Sequence, residues 1–175
     1  MDTYPSAKVW DPARGVLNVP GFGFEVAIQD INVQGQAVGW AFRHLGGGTY
    51  KEEAFIWDYA NGTRILEDFG YPAYARGIND DGEVVGWYWK WDEGNQAAFH
   101  WRAPGDWSRI PALYGGSAVA NDINENGVIL GGTQSDDPDM TTGALWYPDG
   151  SSRDLGNLLT QHQNFYQSLN ENGYV

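Results

Sequence analysis

Tryptophan side chains are the first candidates for ligand-binding chemistry in this sequence. Trp87, Trp89 and Trp91 stand at alternate positions of one apolar stretch. Alternate residues of a β-strand point to the same face, so these rings are expected side by side. An exposed aromatic ring is a rigid apolar plane with a polar edge, which suits the apolar face of a sugar ring. Trp107 and Trp146 depart from the surrounding pattern and are assigned to the same ligand-binding face.

A short acidic run is the best candidate for a metal site. Asp136, Asp137 and Asp139 supply several carboxylate oxygens within one stretch, and Ca²⁺ prefers about six to eight oxygen ligands. The run lacks the ligand spacing of an EF-hand, and a solvated acidic turn is the alternative interpretation. The sequence predicts no other cofactor.

Catalytic chemistry has little support in the residue pattern. His44, His100 and His162 lack the spacing of metal ligands, and no G-x-S-x-G, P-loop or dinucleotide-binding motif occurs. The sequence has no cysteine, which excludes disulfides and thiol nucleophiles. We therefore expect no catalytic residues. A glycoside hydrolase, which needs only two suitably placed carboxylates, is the least favoured alternative.

The net charge narrows the choice of partners. The 175 residues carry a formal charge of −13, whereas nucleic-acid binding needs clustered Lys and Arg. Anionic membrane surfaces are disfavoured for the same reason, and no apolar run approaches the roughly 20 residues that span a bilayer. A glycan or a protein remains as the expected partner, with no nucleic acid and no membrane insertion.

One phrase, asparagine followed three residues later by glycine, recurs along the chain every 45 to 47 residues. Its asparagines are Asn32, Asn79, Asn124 and Asn170, and its glycines are Gly35, Gly82, Gly127 and Gly173. A second anchor, an alanine followed by apolar residues, keeps nearly the same period and ends at Trp10, Trp57, Trp101 and Tyr147. We interpret the glycines as turn residues with positive φ, the asparagines as capping or left-handed residues, and the aromatic anchor as core.

Each repeat is predicted to form four short strands. The alanine anchor starts the first strand, turn signals such as Asn61-Gly62 precede the second, and the Asn-x-x-Gly turn joins the third to the fourth. Repeats of this length with four strands are typical of β-propeller blades. We therefore predict one all-β domain over residues 1–175, a propeller of about four four-stranded blades of 44–47 residues. The predicted blades are 7–53, 54–97, 98–143 and 144–175, the last of them incomplete.

Two stretches of the repeat carry a recognisable motif, EAFIW at Glu53 to Trp57 and AAFHW at Ala97 to Trp101. Together with the Asn-x-x-Gly phrases, they resemble the HAF-repeat family of bacterial extracellular proteins. The family's leading histidine is replaced by Glu53, Ala97 and Gly143. The resemblance implies a propeller-like fold and a location outside the cell or on its surface, with any signal peptide removed or not included in this sequence. It implies no particular chemistry.

The last repeat contains the turn at Asn170 but stops before the residues that correspond to Val38 and beyond. We therefore expect its last strand to be completed by another copy or by a longer chain, because an unpaired strand exposes backbone donors and acceptors. The favoured function is a non-catalytic extracellular or cell-surface module that binds glycans through its aromatic face. The main alternative is a structural repeat protein that self-assembles into homo-oligomers, in which the tryptophans pack between units.

Overall fold

The computed structural model describes residues 6–135, 141–157, 168–170 and 172. Within these residues the chain is all-β, as predicted, with fourteen strands and no helix. The strands are β1 (Ala7–Asp11), β2 (Gly15–Val19), β3 (Val26–Ile31), β4 (Ala37–Gly46), β5 (Thr49–Asp58), β6 (Gly62–Ile65), β7 (Ala73–Ile78), β8 (Val84–Lys90), β9 (Asn95–Ala103), β10 (Asp106–Ile110), β11 (Ser117–Ile123), β12 (Ile129–Gln134), β13 (Thr141–Trp146) and β14 (Ser152–Asn157).

The described strands form four antiparallel sheets in which sequence neighbours are also hydrogen-bonded neighbours. The first sheet has two strands, β1–β2, and the other three have four strands each: β3–β6, β7–β10 and β11–β14. Short hairpins join the strands within a sheet, and longer links join one sheet to the next. Each four-stranded sheet is therefore a simple meander of about one sequence repeat.

The sheets differ in phase from the units predicted from the sequence. The predicted boundaries at residues 53/54, 97/98 and 143/144 fall inside β5, β9 and β13, so each sheet begins two strands earlier than expected. The length of a sequence repeat is the same whichever residue is taken as its start. The repeat length therefore does not show which strands are hydrogen-bonded in one sheet. The glycine hairpin between β4 and β5 provides the bonding information, because Gly46 pairs with Thr49 and ties these two strands into one sheet.

Strand register also corrects one position of the repeat. Trp57 lies opposite Ala37, Trp101 opposite Val84 and Trp146 opposite Ile129. The residue equivalent to Trp57 and Trp101 is therefore Trp146, and not Tyr147 as the sequence alignment predicted. A slip of one residue moves a side chain to the other face of a strand. Trp146 is thus a core residue, 6% exposed, and its assignment to a ligand-binding face is wrong.

Consecutive sheets pack face to face, so the third strand of a sheet is buried on both sides. In β5, Phe55 and Trp57 pack towards the β1–β2 sheet, whereas Ala54 and Ile56 pack towards β7–β10. A strand buried on both faces needs apolar residues at successive positions instead of alternate ones. This explains why the alanine anchor is a continuous apolar run.

The Asn-x-x-Gly turn joins the first and second strands of each four-stranded sheet. Gly35 has a φ of 75°, and its N–H donates to the Asn32 main-chain oxygen at 3.0 Å. The Asn32 Oδ1 accepts from the N–H of Gln36 at 3.0 Å. The predicted positive φ is confirmed at Gly35, Gly82 and Gly127, while Gly173 lies outside the described residues. Since no described residue other than glycine has a positive φ, the asparagine acts as a cap.

Candidate functional site

A β-bulge interrupts the first strand of every four-stranded sheet. The extra residues are Gln29, between Ile28 and Asp30, Arg76 in β7 and Asn121 in β11. All three occupy the same position of the repeat, three residues before the turn asparagine. A bulge leaves its extra residue out of the pairing pattern and redirects that side chain. The fold thus sets one polar side chain at the same place in three consecutive sheets.

A glycine on the neighbouring strand accommodates each bulge. A Cβ atom added to Gly86 would lie 2.1 Å from the main-chain oxygen of Tyr74. The equivalent distances are 1.9 Å from Gly39 to Ala27 and 2.0 Å from Gly131 to Val119. No side chain fits at such distances, so close backbone approach requires the glycine that follows two apolar residues at the start of each second strand.

Arg76 is the most unusual of the bulged residues. Its Nη1 donates to Gln29 Oε1 at 2.8 Å, whereas its Nε is buried and has no hydrogen-bond partner. Within the described part of the chain, its guanidinium forms no ion pair with a carboxylate. Burial lowers the pKa of Arg76, and Tyr74 opposes that shift. In a chain with a net charge of −13, a half-buried cation without an acidic partner marks a place for a polar or anionic ligand group.

Four aromatic rings form a row beside Arg76 that crosses two sheets. Tyr74 stacks on Trp87, with ring centroids 4.3 Å apart. The Tyr74 ring also packs edge to face with Trp40, with ring centroids 5.8 Å apart. Trp40 in turn meets Phe42 at 5.5 Å. We call Phe42, Trp40, Tyr74 and Trp87 the aromatic row. All four residues of the aromatic row are half-buried, so part of each ring remains accessible.

The hydroxyl group of Tyr74 is held in its protonated form. Burial raises the pKa of Tyr74 to about 12, and the nearby Glu52 carboxylate contributes in the same direction. A phenol that keeps its proton at all physiological pH values is a hydrogen-bond donor. The Tyr74 hydroxyl donates to the Glu52 side chain, so Arg76 supplies the donors beside the ring faces, a combination that suits a ligand with a ring and several hydroxyl or carboxylate groups.

The structure separates the five predicted tryptophans into two groups. Trp87 belongs to the aromatic row, and Trp89 contacts the exposed Trp91 at 5.7 Å. Trp107 contacts Phe69 and Tyr88 instead, and Tyr88 alternates with Trp87 and Trp89 along β8. Trp107 therefore lies on the opposite face of the sheet and does not join the predicted aromatic surface.

Trp146 is also removed from that surface. Its ring lies in the core between β7–β10 and β11–β14, and its Nε1 donates to the Pro111 oxygen at 3.1 Å. The sequence pattern missed Trp40, Tyr74 and Arg76 as site residues. The available signal was a polar residue three positions before each turn asparagine, shared by Gln29, Arg76 and Asn121.

The predicted metal site lies outside the described residues, because Asp136, Asp137 and Asp139 all fall between residues 135 and 141. In the described ranges, no group of three or more His, Asp or Glu side chains is placed to hold a metal ion. His100 lies 3.5 Å from Glu83, and burial lowers its pKa although Glu83 opposes the shift. His44 packs against Phe24 and Tyr50, and His162 lies outside the described residues.

Comparison with known proteins adds no relative to this picture. No protein-family model matches the sequence, and no curated protein matches it. The resemblance to HAF repeats therefore stays a prediction. In the residues that the structure describes, no helix has the length and apolar character needed to cross a membrane.

Proposed function

We propose that the protein is a non-catalytic module that binds carbohydrate at the aromatic row and Arg76. The observation that supports this most directly is a half-buried arginine that has no acidic partner among the described residues and lies beside four partly accessible rings. Ring faces bind the C–H surface of a sugar, and the arginine donors bind its oxygen atoms. A pair of rings such as Trp89 and Trp91 extends the surface for a second sugar unit.

The propeller is likewise a proposal. Three consecutive antiparallel meanders that pack face to face in chain order support it, because propeller blades have this construction. The HAF-repeat assignment and a location outside the cell or on its surface are proposed on the sequence resemblance alone. Detection of the protein in the medium or the cell-surface fraction of its source organism tests the location, and recovery from the cytosol alone contradicts it.

A glycan array that contains neutral and uronate-bearing oligosaccharides tests carbohydrate binding. The hits are then titrated by calorimetry with the parent protein and with Trp87→Ala. We expect the variant to raise the dissociation constant by at least about tenfold, because loss of an aromatic anchor commonly costs more than 1 kcal/mol.

Tyr114→Ala provides the matched control, since Tyr114 is an exposed aromatic residue outside the aromatic row, 49% exposed. This variant is expected to bind as the parent does. An array without hits contradicts carbohydrate binding. Equal weakening by Trp87→Ala and Tyr114→Ala contradicts the assigned site.

A further inference from the structure

Each Asn-x-x-Gly turn is hydrogen-bonded to the next one along the chain. The Nδ2 of Asn32 donates to the main-chain oxygen of Asn79 at 3.0 Å. Asn79 donates in the same way to Asn124 at 3.4 Å, and Asn124 to Asn170 at 3.1 Å. We call this series the asparagine ladder. It has one direction, because each side chain donates to the later turn.

A second contact repeats at the same junctions and has the same direction. The main-chain N–H of Val33 donates to Asp80 Oδ1 at 3.0 Å, and the N–H of Asp80 donates to Glu125 Oε2 at 2.7 Å. An earlier turn thus offers donors on the side where a later turn offers acceptors. The two sides of a turn are complementary to each other, which is the requirement for a head-to-tail contact.

The first turn of the ladder is uncovered on its acceptor side. Ile31 is 45% exposed, whereas its equivalents Ile78, Ile123 and Leu169 are 5%, 4% and 8% exposed. The Asn32 oxygen accepts from Gly35 of its own turn, and among the described residues it accepts from no earlier asparagine. In contrast, the oxygens of Asn79 and Asn124 each accept from one.

The uncovered side of the Asn32 turn forms one wall of a groove of about 430 Å³. The rest of the lining comes from the β1–β2 hairpin and from the end of β5 with the turn that follows it. The described hydrogen-bonded neighbour of β1 is β2 alone, whereas its counterpart β5 is paired with both β4 and β6. Trp10 lines the groove and is 69% exposed, against 5% for the equivalent Trp57. The prediction that Trp10 is a core residue is therefore wrong within one copy of the chain. Groove, strand edge and tryptophan are all surfaces that the other repeats cover.

We propose that this groove is the docking site for the Asn170 turn of a second copy. The other three junctions show what covers the equivalent surface, namely an earlier Asn-x-x-Gly turn with the aliphatic residue that precedes it. The Asn170 turn carries the same pair of residues, Leu169 and Asn170, and its acceptor side already receives the Asn124 amide. The contact is head-to-tail and generates a ring or a filament.

The chain's own C-terminal turn is not the occupant of the groove. Leu169 and Asn170 already contact the third sheet, where Leu169 packs with Leu130 and Leu145, and Ile31 and Trp10 remain exposed in the single copy. The groove shares no residue with the aromatic row or Arg76. Self-association and carbohydrate binding therefore stand or fall separately.

Engineered thiols test the contact directly, because the sequence contains no cysteine. One protein carries Gln34→Cys, in the groove wall, and a second carries Asn172→Cys, beside the C-terminal turn. The two are mixed and treated with a short bismaleimide, and the products are identified by mass spectrometry. The matched control replaces Gln34→Cys with Asp81→Cys, the same exposed position of the next turn, which already has an earlier neighbour.

We expect a covalent dimer of Gln34→Cys with Asn172→Cys in at least tenfold higher yield than the Asp81→Cys control. The unmodified protein should also gain mass with concentration in light scattering, and Ile31→Lys, on an exposed side chain, should shift that gain to at least tenfold higher concentration. Equal yields in the two mixtures overturn the proposal. An internal cross-link in a single chain that carries both Gln34→Cys and Asn172→Cys, or a strictly monomeric mass at all concentrations, also overturns it.

Discussion

Arg76 donates a hydrogen bond of 2.8 Å to Gln29, the residue at its own position in the preceding sheet. The two side chains lie 47 positions apart in the sequence. They meet because each belongs to the β-bulge in the first strand of its sheet, β3 or β7. The bond satisfies one nitrogen of the guanidinium and leaves the buried Nε without a partner. A stability cost is thus concentrated at the site that is proposed to bind ligand.

Replacement of the arginine separates its binding role from its structural role. We expect Arg76→Met to keep the free energy of unfolding within about 1 kcal/mol of the parent, because a lost hydrogen bond is offset by relief from burying an unpaired cation. Carbohydrate affinity should fall by at least tenfold. Denaturant unfolding and calorimetry measure both quantities, with Arg102→Met, at an exposed ion pair with Asp106, as the control. A variant that loses stability and affinity together would show that Arg76 is mainly structural.

The raised pKa of Tyr74 predicts that its hydroxyl loses its proton later than an ordinary tyrosine in an alkaline titration. Its folded pKa of about 12 lies above the ordinary value of 10.0, so the folded state keeps a proton that the unfolded state releases. The contribution of Tyr74 to stability is fully present below about pH 10 and is lost as the pH rises towards about 12. Ultraviolet titration of tyrosinate, compared with Tyr74→Phe, measures the step. If the variant loses a group that titrates near pH 10, the assigned environment of Tyr74 is incorrect.

The glycines that face the β-bulges are expected to tolerate no side chain, so that even alanine at these positions lowers the stability of the fold. We expect Gly86→Ala to destabilise the fold by more than about 3 kcal/mol, because its Cβ would lie 2.1 Å from a main-chain oxygen that cannot yield without moving β7. Gly35→Ala serves as the comparison. It places an alanine at a φ of 75° with no atom within 4 Å, which costs about 1–2 kcal/mol. Denaturant unfolding of both variants checks the order, and an equal or smaller loss at Gly86 would contradict the steric argument.

The asparagine ladder predicts strong discrimination between an amide and a carboxylate. In the parent protein, Asn79 Nδ2 donates to Glu83 Oε2 at 3.0 Å and to the Asn124 main-chain oxygen at 3.4 Å. In Asn79→Asp, a carboxylate oxygen would replace Nδ2 and face these two acceptors. Because Asn79 is 1% exposed, we expect a loss of about 3 kcal/mol or more at pH 7. The loss should shrink as the pH falls and the new carboxyl regains a proton to donate.

Asn18→Asp, at an exposed position of β2, is the control for the added charge and should change stability by less than about 0.5 kcal/mol. Thermal unfolding of both variants across a pH series provides the measurement. A pH-independent loss in Asn79→Asp would argue against direct opposition of charges in the ladder.

The recurring phrase predicted local structure well, because its residues act locally. The turn and the positive φ of Gly35 follow from backbone geometry within a few residues, and both are present. The grouping of strands into sheets did not follow from the phrase, because the length of the repeat carries no information about which strands are hydrogen-bonded to each other. The misplacement of Tyr147 for Trp146 has a related cause, because only the cross-strand register with Ile129 shows which residue faces which core.

The candidate site was found in part, and the missing part depends on contacts between sheets. Trp87 was predicted from alternation along a single strand. Tyr74 and Arg76 were not, because a bulge breaks the alternation on which the prediction rests, and Trp40 joins the row only through packing against the following sheet. A residue that owes its role to a neighbour some 45 positions away leaves little trace in its own stretch of sequence.

The bonds between successive turns also bear on how such a protein changes over generations. Every junction joins the same donor to the same acceptor, an asparagine amide to the main-chain oxygen of the next asparagine. A whole unit gained or lost by duplication or deletion in the gene therefore leaves matching partners at the new boundary. Length is a property that evolution can alter here in single steps, without prior adjustment of the flanking units.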